Sequence, residues 1–212
     1  MPDSLIDQLD DGLEQLGLPL NDHQRGALLQ YLALMERWNQ AYNLTAIREP
    51  GAMLTRHLLE SLAITAHIPQ GRLLDVGTGA GLPGIPLAIA QPDSEVCLLD
   101  SNGKKTRFLF QVISQLALTN ASVLHTRVET HQDPIGFSGV VSRAYASLDK
   151  FINSCRHLVK SGGHLFAMKS TGIEEELSCL YSDSRLVALW ETAVPGLTDT
   201  RYLAQLSLEP QS

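Results

Sequence analysis

Apolar residues recur at helical spacing through the first third of the chain. Leu28, Tyr31, Leu32, Met35 and Trp38 mark one stripe, and Met53, His57, Leu58, Leu62 and Ala66 mark another. Asp22 stands where the first stripe needs a cap, and Pro50-Gly51 predicts a turn between the two helices. From Arg72 the texture changes to short apolar runs separated by helical stretches. Strands are predicted at 72–76, 96–100, 122–126, 139–142, 163–168, 186–192 and 202–208. Strands alternating with helices need right-handed crossovers, which make a mostly parallel sheet. The last two runs flank a turn centred on Pro195-Gly196 and predict an antiparallel hairpin at one edge. The expected architecture is a doubly wound, seven-stranded α/β domain over 69–212, preceded by a helical cap over 1–68.

Composition narrows the class. The chain has 212 residues, 16 basic against 23 acidic side chains and a formal net charge of -7. A general coat for DNA would need the opposite sign, because such binding comes from neutralising phosphates. The charge is uneven, however. Residues 101–150 hold 6 basic and 3 acidic side chains, a local +3 that includes Lys104, Lys105, Arg107, Arg127, Arg143 and Lys150. A polyanionic partner would dock there, with Arg48, Arg56 and His57 extending the surface from the cap. The acidic start (Asp3, Asp7, Asp10, Asp11, Glu14) is unlike a secretion or transit signal. The longest uncharged stretch, 76–92, holds four glycines and three prolines, so no membrane span is expected. Cys97, Cys155 and Cys179 are odd in number and far apart, which suits a reducing, cytoplasmic setting better than a disulfide framework. The seven histidines show no zinc spacing, and no metal is expected.

The candidate chemistry gathers at L-L-D-V-G-T-G-A-G-L-P-G, residues 73–84. A buried strand runs into Gly77, Gly79 and Gly81, where a ligand can approach the backbone, and then into a helix with Pro83 in its first turn. G-x-G-x-x-G over 79–84 also matches a dinucleotide fingerprint, which alone is a weak signal. Two acids separate the possibilities. Asp75 precedes the first glycine, where a pyrophosphate would gain nothing from a carboxylate but a cationic tail would. Asp100 ends the next strand, 23 residues after Gly77, and can accept ribose hydroxyls. A nucleoside with a positively charged, phosphate-free tail fits both, as S-adenosylmethionine does and NAD does not. The competing expectations are a nicotinamide-dependent oxidoreductase and a non-catalytic nucleotide-binding module. A further glycine pair in Lys160-Ser161-Gly162-Gly163 reads chiefly as a helix C-cap.

With these residues in view, the chain resembles the RsmG (GidB) family of bacterial 16S ribosomal RNA methyltransferases. The likeness runs from H-Q-R-G-A-L-L-Q-Y (23–31) and W-N-Q-A-Y-N-L-T (38–45) through R-H-L-L-E-S (56–61) to D-V-G-T-G-A-G-L-P-G-I-P-L (75–87). It continues in L-L-D-S-N-G-K-K-T-R-F-L (98–109), R-V-E (127–129) and V-S-R-A-Y-A-S-L (141–148). It implies a class I S-adenosylmethionine-dependent methyltransferase, Rossmann-like, acting on N7 of a guanine in the decoding region of the small ribosomal subunit. It implies cofactor contacts at Gly77, Leu82, Val128, Glu129 and Arg143, beside Asp75, Gly79 and Asp100. The partner it implies is 16S rRNA, with neither DNA nor membrane. The family usually has aspartate where this chain has Glu60, leucine where it has Asn102, phenylalanine where it has Tyr145, and glycine where Ser170 follows Lys169. Guanine N7 carries a free lone pair and no proton, so no general base is expected. What an unstacked base needs is an aromatic face, for which Tyr145 is the candidate, and a phosphate contact, for which Lys169 is the candidate.

Overall fold

The computed structural model describes residues 4–145, 147–180 and 184–208; Asp3 and Ala146, which fall within segments read above, lie outside the described residues. Short polar side chains open the helices. Ser4 accepts from the Asp7 amide at the start of α1 (Leu5–Gln15), and Asn21 and Gln24 form a reciprocal capping box on α2 (Asp22–Tyr42). The cap is therefore Asn21, one residue before the expected Asp22. Pro50 does not separate two helices but begins the second, α3 (Pro50–Met53), where its missing N–H costs little. The Glu49 carboxylate accepts from the Gly51 and Ala52 amides there. The chain then passes through a π-helical turn, Leu54–Leu59, into α4 (Glu60–Leu62). This wider turn buries Leu54, Thr55, His57, Leu58 and Leu59 together, more than one 3.6-residue stripe can hide.

Strands and helices then alternate: β1 (Arg72–Val76), α5 (Gly84–Ala90), β2 (Glu95–Asp100), α6 (Gly103–Leu116), β3 (Ala121–His125), β4 (Phe137–Arg143), α7 (Leu148–Cys155), β5 (Val159–Lys169), α8 (Ile173–Ser178), β6 (Ser184–Thr192) and β7 (Arg201–Leu208). The sheet order is β3-β2-β1-β4-β5-β7-β6. The first five strands are parallel, and β7 runs antiparallel between β5 and β6. All seven expected strands form, with ends shifted by a few residues. The glycine pair is not a helix cap. It lies within β5, where pairing with β4 jumps from Phe137↔Val159 to Gly139↔His164 and residues 160–163 leave the ladder. That excursion sits at the start of β5, opposite the strand ends where a ligand would bind.

Adjacent strand residues serve opposite faces of the sheet. Leu73, Leu98, Val141 and Phe166 join one apolar core, which also takes in Leu9, Leu28, Met35 and Leu58 of the N-terminal helices together with Ile85 and Phe108. Leu74, Leu99, Val140 and Leu165 join the other core, against Phe151 and Ile152 of α7. With both faces covered, these strands read as continuous apolar runs rather than alternating ones. The N-terminal helices therefore share a core with α5 and α6. Among the described residues no helix is long and apolar enough to cross a membrane.

Candidate active site

The loop after β1 is tied to β2 by two amides, Gly77 N–H and Thr78 N–H, which both donate to the Leu99 carbonyl at 2.9 and 3.1 Å. Its glycines divide the work. Gly77, Gly79 and Gly81 have φ of +66°, +62° and +95°, the left-handed region that favours glycine. Among the described residues, a Cβ at Gly77 would meet the Tyr145 ring at 3.5 Å, in ordinary contact, and nothing else within 4 Å. Gly81 instead lies beneath α2, close to Ile85, Leu109 and the Tyr31 hydroxyl. Tyr31 is fully buried and donates to the Ala80 carbonyl at 2.6 Å, so the N-terminal helices hold the loop from behind. Gly84 gives close packing, since a Cβ there would run into Leu98 and Asp75.

Asp75 is fully buried, contrary to the expectation that it would face a ligand directly. Its Oδ2 accepts from the Thr78 hydroxyl at 2.6 Å and the Gly84 amide at 2.7 Å, closing the loop onto the start of α5. Among the described residues its Oδ1 has no hydrogen-bond partner. Burial pushes the carboxyl up to about 6, against the opposing effect of the Thr78 and Gly84 hydrogen bonds. Asp100 is also nearly buried, but it borders open space. It accepts from Gly79 N–H at 2.9 Å through Oδ2 and from Asn102 N–H at 2.8 Å through Oδ1, and Lys105 Nζ stands 3.7 Å away. It is thus a loop anchor and helix-entry acceptor, with one lone pair on each oxygen left for a ligand.

Gly77, Asp100, Val128, Glu129 and Tyr145 line one cleft of about 290 Å³ at the carboxyl ends of the first strands. Ligands of open α/β sheets collect at such a position. Ser101 and Thr126 also line it and were not singled out from the sequence, and Arg127, read above as part of the basic segment, lines it too. Leu82 is absent from the lining and is buried in the apolar core. A nucleoside finds matching groups here, open backbone at Gly77 and a part-satisfied carboxylate at Asp100, whereas Asp75 lies behind the loop and outside the lining.

Arg143 does not line this cleft. Its guanidinium donates to the Arg56 carbonyl at 2.9 Å and pairs with Glu60 at 3.3 Å. Arg201 of β7 pairs with the other Glu60 oxygen at 2.6 Å, a contact spanning 141 residues of chain that no sequence pattern announced. Lys169 is not left to reach outward: its ammonium lies 2.9 Å from both oxygens of Glu176. Tyr145 lies over Gly77 and tilts against Phe151 at 5.6 Å between centroids, which puts it in the wall of the nucleoside cleft. His57 is no part of a docking surface. It is buried, held between the Thr45 hydroxyl and the Arg56 carbonyl, and burial and Arg143 lower it to about 4.

The basic segment also splits. Lys104 is exposed, whereas Lys105 reaches back to Asp100 and Gly79, and Arg107 donates to its own helix at the Gly103 carbonyl. Lys104→Ala is therefore expected to weaken binding of an RNA partner and flatten its salt dependence by about one unit of log–log slope. Lys105→Ala is expected to weaken cofactor binding as well. Isothermal calorimetry on the two single variants checks this, and equal cofactor affinities would place Lys105 outside the site.

Residues 24–204 match the family described as rRNA small subunit methyltransferase G. A relative of that name from Pseudomonas fluorescens is 49% identical over 93% of this chain and 92% of its own length. Another, from Aeromonas hydrophila, is 43% identical over 98% and 97%. Among solved structures, a glycopeptide N-methyltransferase, MtfA, complexed with S-adenosyl-L-methionine matches with a TM-score of 0.60 at 10% identity, over 73% of this chain and 88% of its own. A ribosomal protein L11 methylase from Lactobacillus delbrueckii matches with a TM-score of 0.52 at 15% identity, over 72% and 77%. At such identities these two likenesses concern the fold.

Proposed function

From membership of the rRNA small subunit methyltransferase G family, to which this chain belongs, we propose that it transfers a methyl group from S-adenosylmethionine to N7 of a guanine in 16S ribosomal RNA. The acceptor would be a guanine of the decoding region, presented within the small subunit in the bacterial cytoplasm. Family membership removes a nicotinamide enzyme as a reading of the loop. The observation that carries the proposal is the coincidence of the family match with a cleft whose open glycine, Gly77, and strand-end carboxylate, Asp100, suit a nucleoside.

When bound, S-adenosylmethionine supplies an electrophilic methyl on a sulfonium, which the N7 lone pair can accept without loss of a proton. The chain's own groups then have to bind, orient and exclude water rather than act as acid or base. Asp100 would accept from the ribose, Gly77 would admit the backbone approach, and Val128 and Glu129 would border the adenine. Tyr145, over Gly77, would shield the transfer path. Labelled methyl transfer to small subunits and to free 16S rRNA, followed by mapping of the modified base, tests the proposal. Absence of label in rRNA rejects it, and label on another atom rejects N7.

Asp75 makes this binding dependent on pH. Its carboxyl is raised to about 6 from 3.8, so lowering the pH through 6 removes the negative charge that this buried carboxylate places behind the loop, whose field a cationic tail would feel without contact. Cofactor affinity is expected to fall about three- to tenfold between pH 7.5 and 5.5, and Asp75→Asn is expected to flatten that dependence. The cofactor-free protein should respond in the opposite sense. The folded form holds this proton more tightly than the unfolded form, so the group's contribution to stability is lost as pH rises from about 4 to 6. Parallel pH profiles of affinity in the two proteins would remove Asp75 from cofactor recognition.

A further inference from the structure

A second cleft, of about 230 Å³, opens at the ends of β4 and β5, beside the nucleoside cleft. Arg143 and Ala144 line the second cleft and Tyr145 lines the first, so one short segment forms the partition between them. Ala144 holds that segment with φ +55°, a conformation that costs a non-glycine residue about 1–2 kcal/mol. Such strain persists where the surrounding structure enforces it, and it concentrates at ligand sites.

The second cleft combines apolar with charged side chains. Met168 and Tyr202 give it apolar surface. Every cation that lines it is paired with a carboxylate: Arg143 with Glu60, Arg201 with Glu60 and Asp199, and Lys169 with Glu176. A guanine that gains positive charge on methylation would be opposed by unpaired cations and is not opposed here. Glu60 lies within the cleft with each oxygen engaged by one arginine, leaving one lone pair on each.

We propose that this cleft receives the acceptor guanine and that Glu60 reads its Watson–Crick edge, accepting from the N1–H and the 2-amino group. The assignment rests on the guanine-N7 reading above and adds the group that selects the base. With N7 turned toward the nucleoside cleft, the N1 and 2-amino donors face away from it, where only an acceptor can satisfy them. Positive charge developing on the ring makes N1–H a stronger donor, so the bond to the carboxylate strengthens as transfer proceeds. Adenine offers no donor at N1 or C2 and would leave Glu60 unanswered. Arg143 and Arg201 act as positioning residues that hold the carboxylate in place.

The test compares wild type, Glu60→Gln and Glu60→Asp in single-turnover methylation of small subunits reconstituted with guanosine or inosine at the target position. Inosine lacks only the 2-amino group. Wild type is expected to prefer guanosine by about ten- to a hundredfold, the effect of one hydrogen bond to a charged acceptor. Glu60→Asp keeps the carboxylate and is expected to retain the preference. Glu60→Gln is expected to bring the ratio to within about threefold of unity while cofactor affinity stays unchanged. A general loss of fold would lower both rates and leave the ratio intact. In a Glu60→Gln variant whose thermal unfolding shows that it is folded, a ratio equal to that of wild type overturns the assignment, as does no preference in the wild type itself. If wild type modifies no guanine N7 at all, the reaction proposed above falls, and this site with it.

Discussion

Gly77→Val is expected to abolish cofactor binding in a protein that still folds. Valine is β-branched and would have to adopt φ +66°, a genuine outlier for such a side chain. Its methyl groups would also fill the space between the loop and Tyr145, where only 3.5 Å separates a Cβ from the ring. The strain should lower stability by about 1–3 kcal/mol. The steric block should cost far more in affinity, at least about a hundredfold, because the added methyl groups would occupy the cleft that Gly77 lines. Gly77→Ala separates the two effects, since its single methyl fits the space and carries mainly the backbone cost. Calorimetry alongside thermal unfolding checks the pair. Unchanged affinity in a folded valine variant would remove the β1 loop as the cofactor site.

The second large effect is expected at Asp100. Asp100→Ala removes the acceptor of the Gly79 and Asn102 amides and the partner of Lys105, beside the proposed ribose contact. Cofactor affinity is expected to fall by roughly 1.5–3 kcal/mol, the scale of hydrogen bonds to a charged group. Some of that loss would come from a loosened loop, so the decisive measurement uses a cofactor analogue lacking a ribose hydroxyl. Wild type should bind the analogue about tenfold more weakly than the full cofactor, and the alanine variant should bind the two alike. If the variant still discriminates between them, Asp100 is an anchor for Gly79 and the helix entry and does not touch ribose.

The N-terminal helices join the two clefts. Tyr31 and Glu60 belong to the N-terminal helices, yet one braces the glycine loop and the other holds Arg143 at the end of β4. Separating those helices from the sheet would therefore be expected to disturb both clefts.

By itself the sequence determined the alternation of elements and the identity of the loop. The 72–76 run is legible because a strand buried on both faces is apolar throughout and is bounded by glycine on both sides. Gly77 and Asp100 are legible because their distance along the chain equals one strand–helix–strand unit. The tertiary structure decided whatever depends on residues far apart in the chain. Local spacing marked Met53, His57 and Leu62 as one helical face, but packing against α1 and α2 on several sides produced a π-helical turn that no 3.6-residue period contains. Periodicity located Lys169 and Arg143 at strand ends. It could not show that Glu176 and Glu60 would neutralise them, because ion pairs follow from where separate elements dock. Asp75 looked like a ligand's counter-charge, and its side chain turned inward to hold the loop, since the buried Thr78 hydroxyl and Gly84 amide needed an acceptor more than the cleft did. The meeting of Glu60, Arg143 and Arg201, drawn from three distant segments, exists only once the sheet has closed with its antiparallel edge.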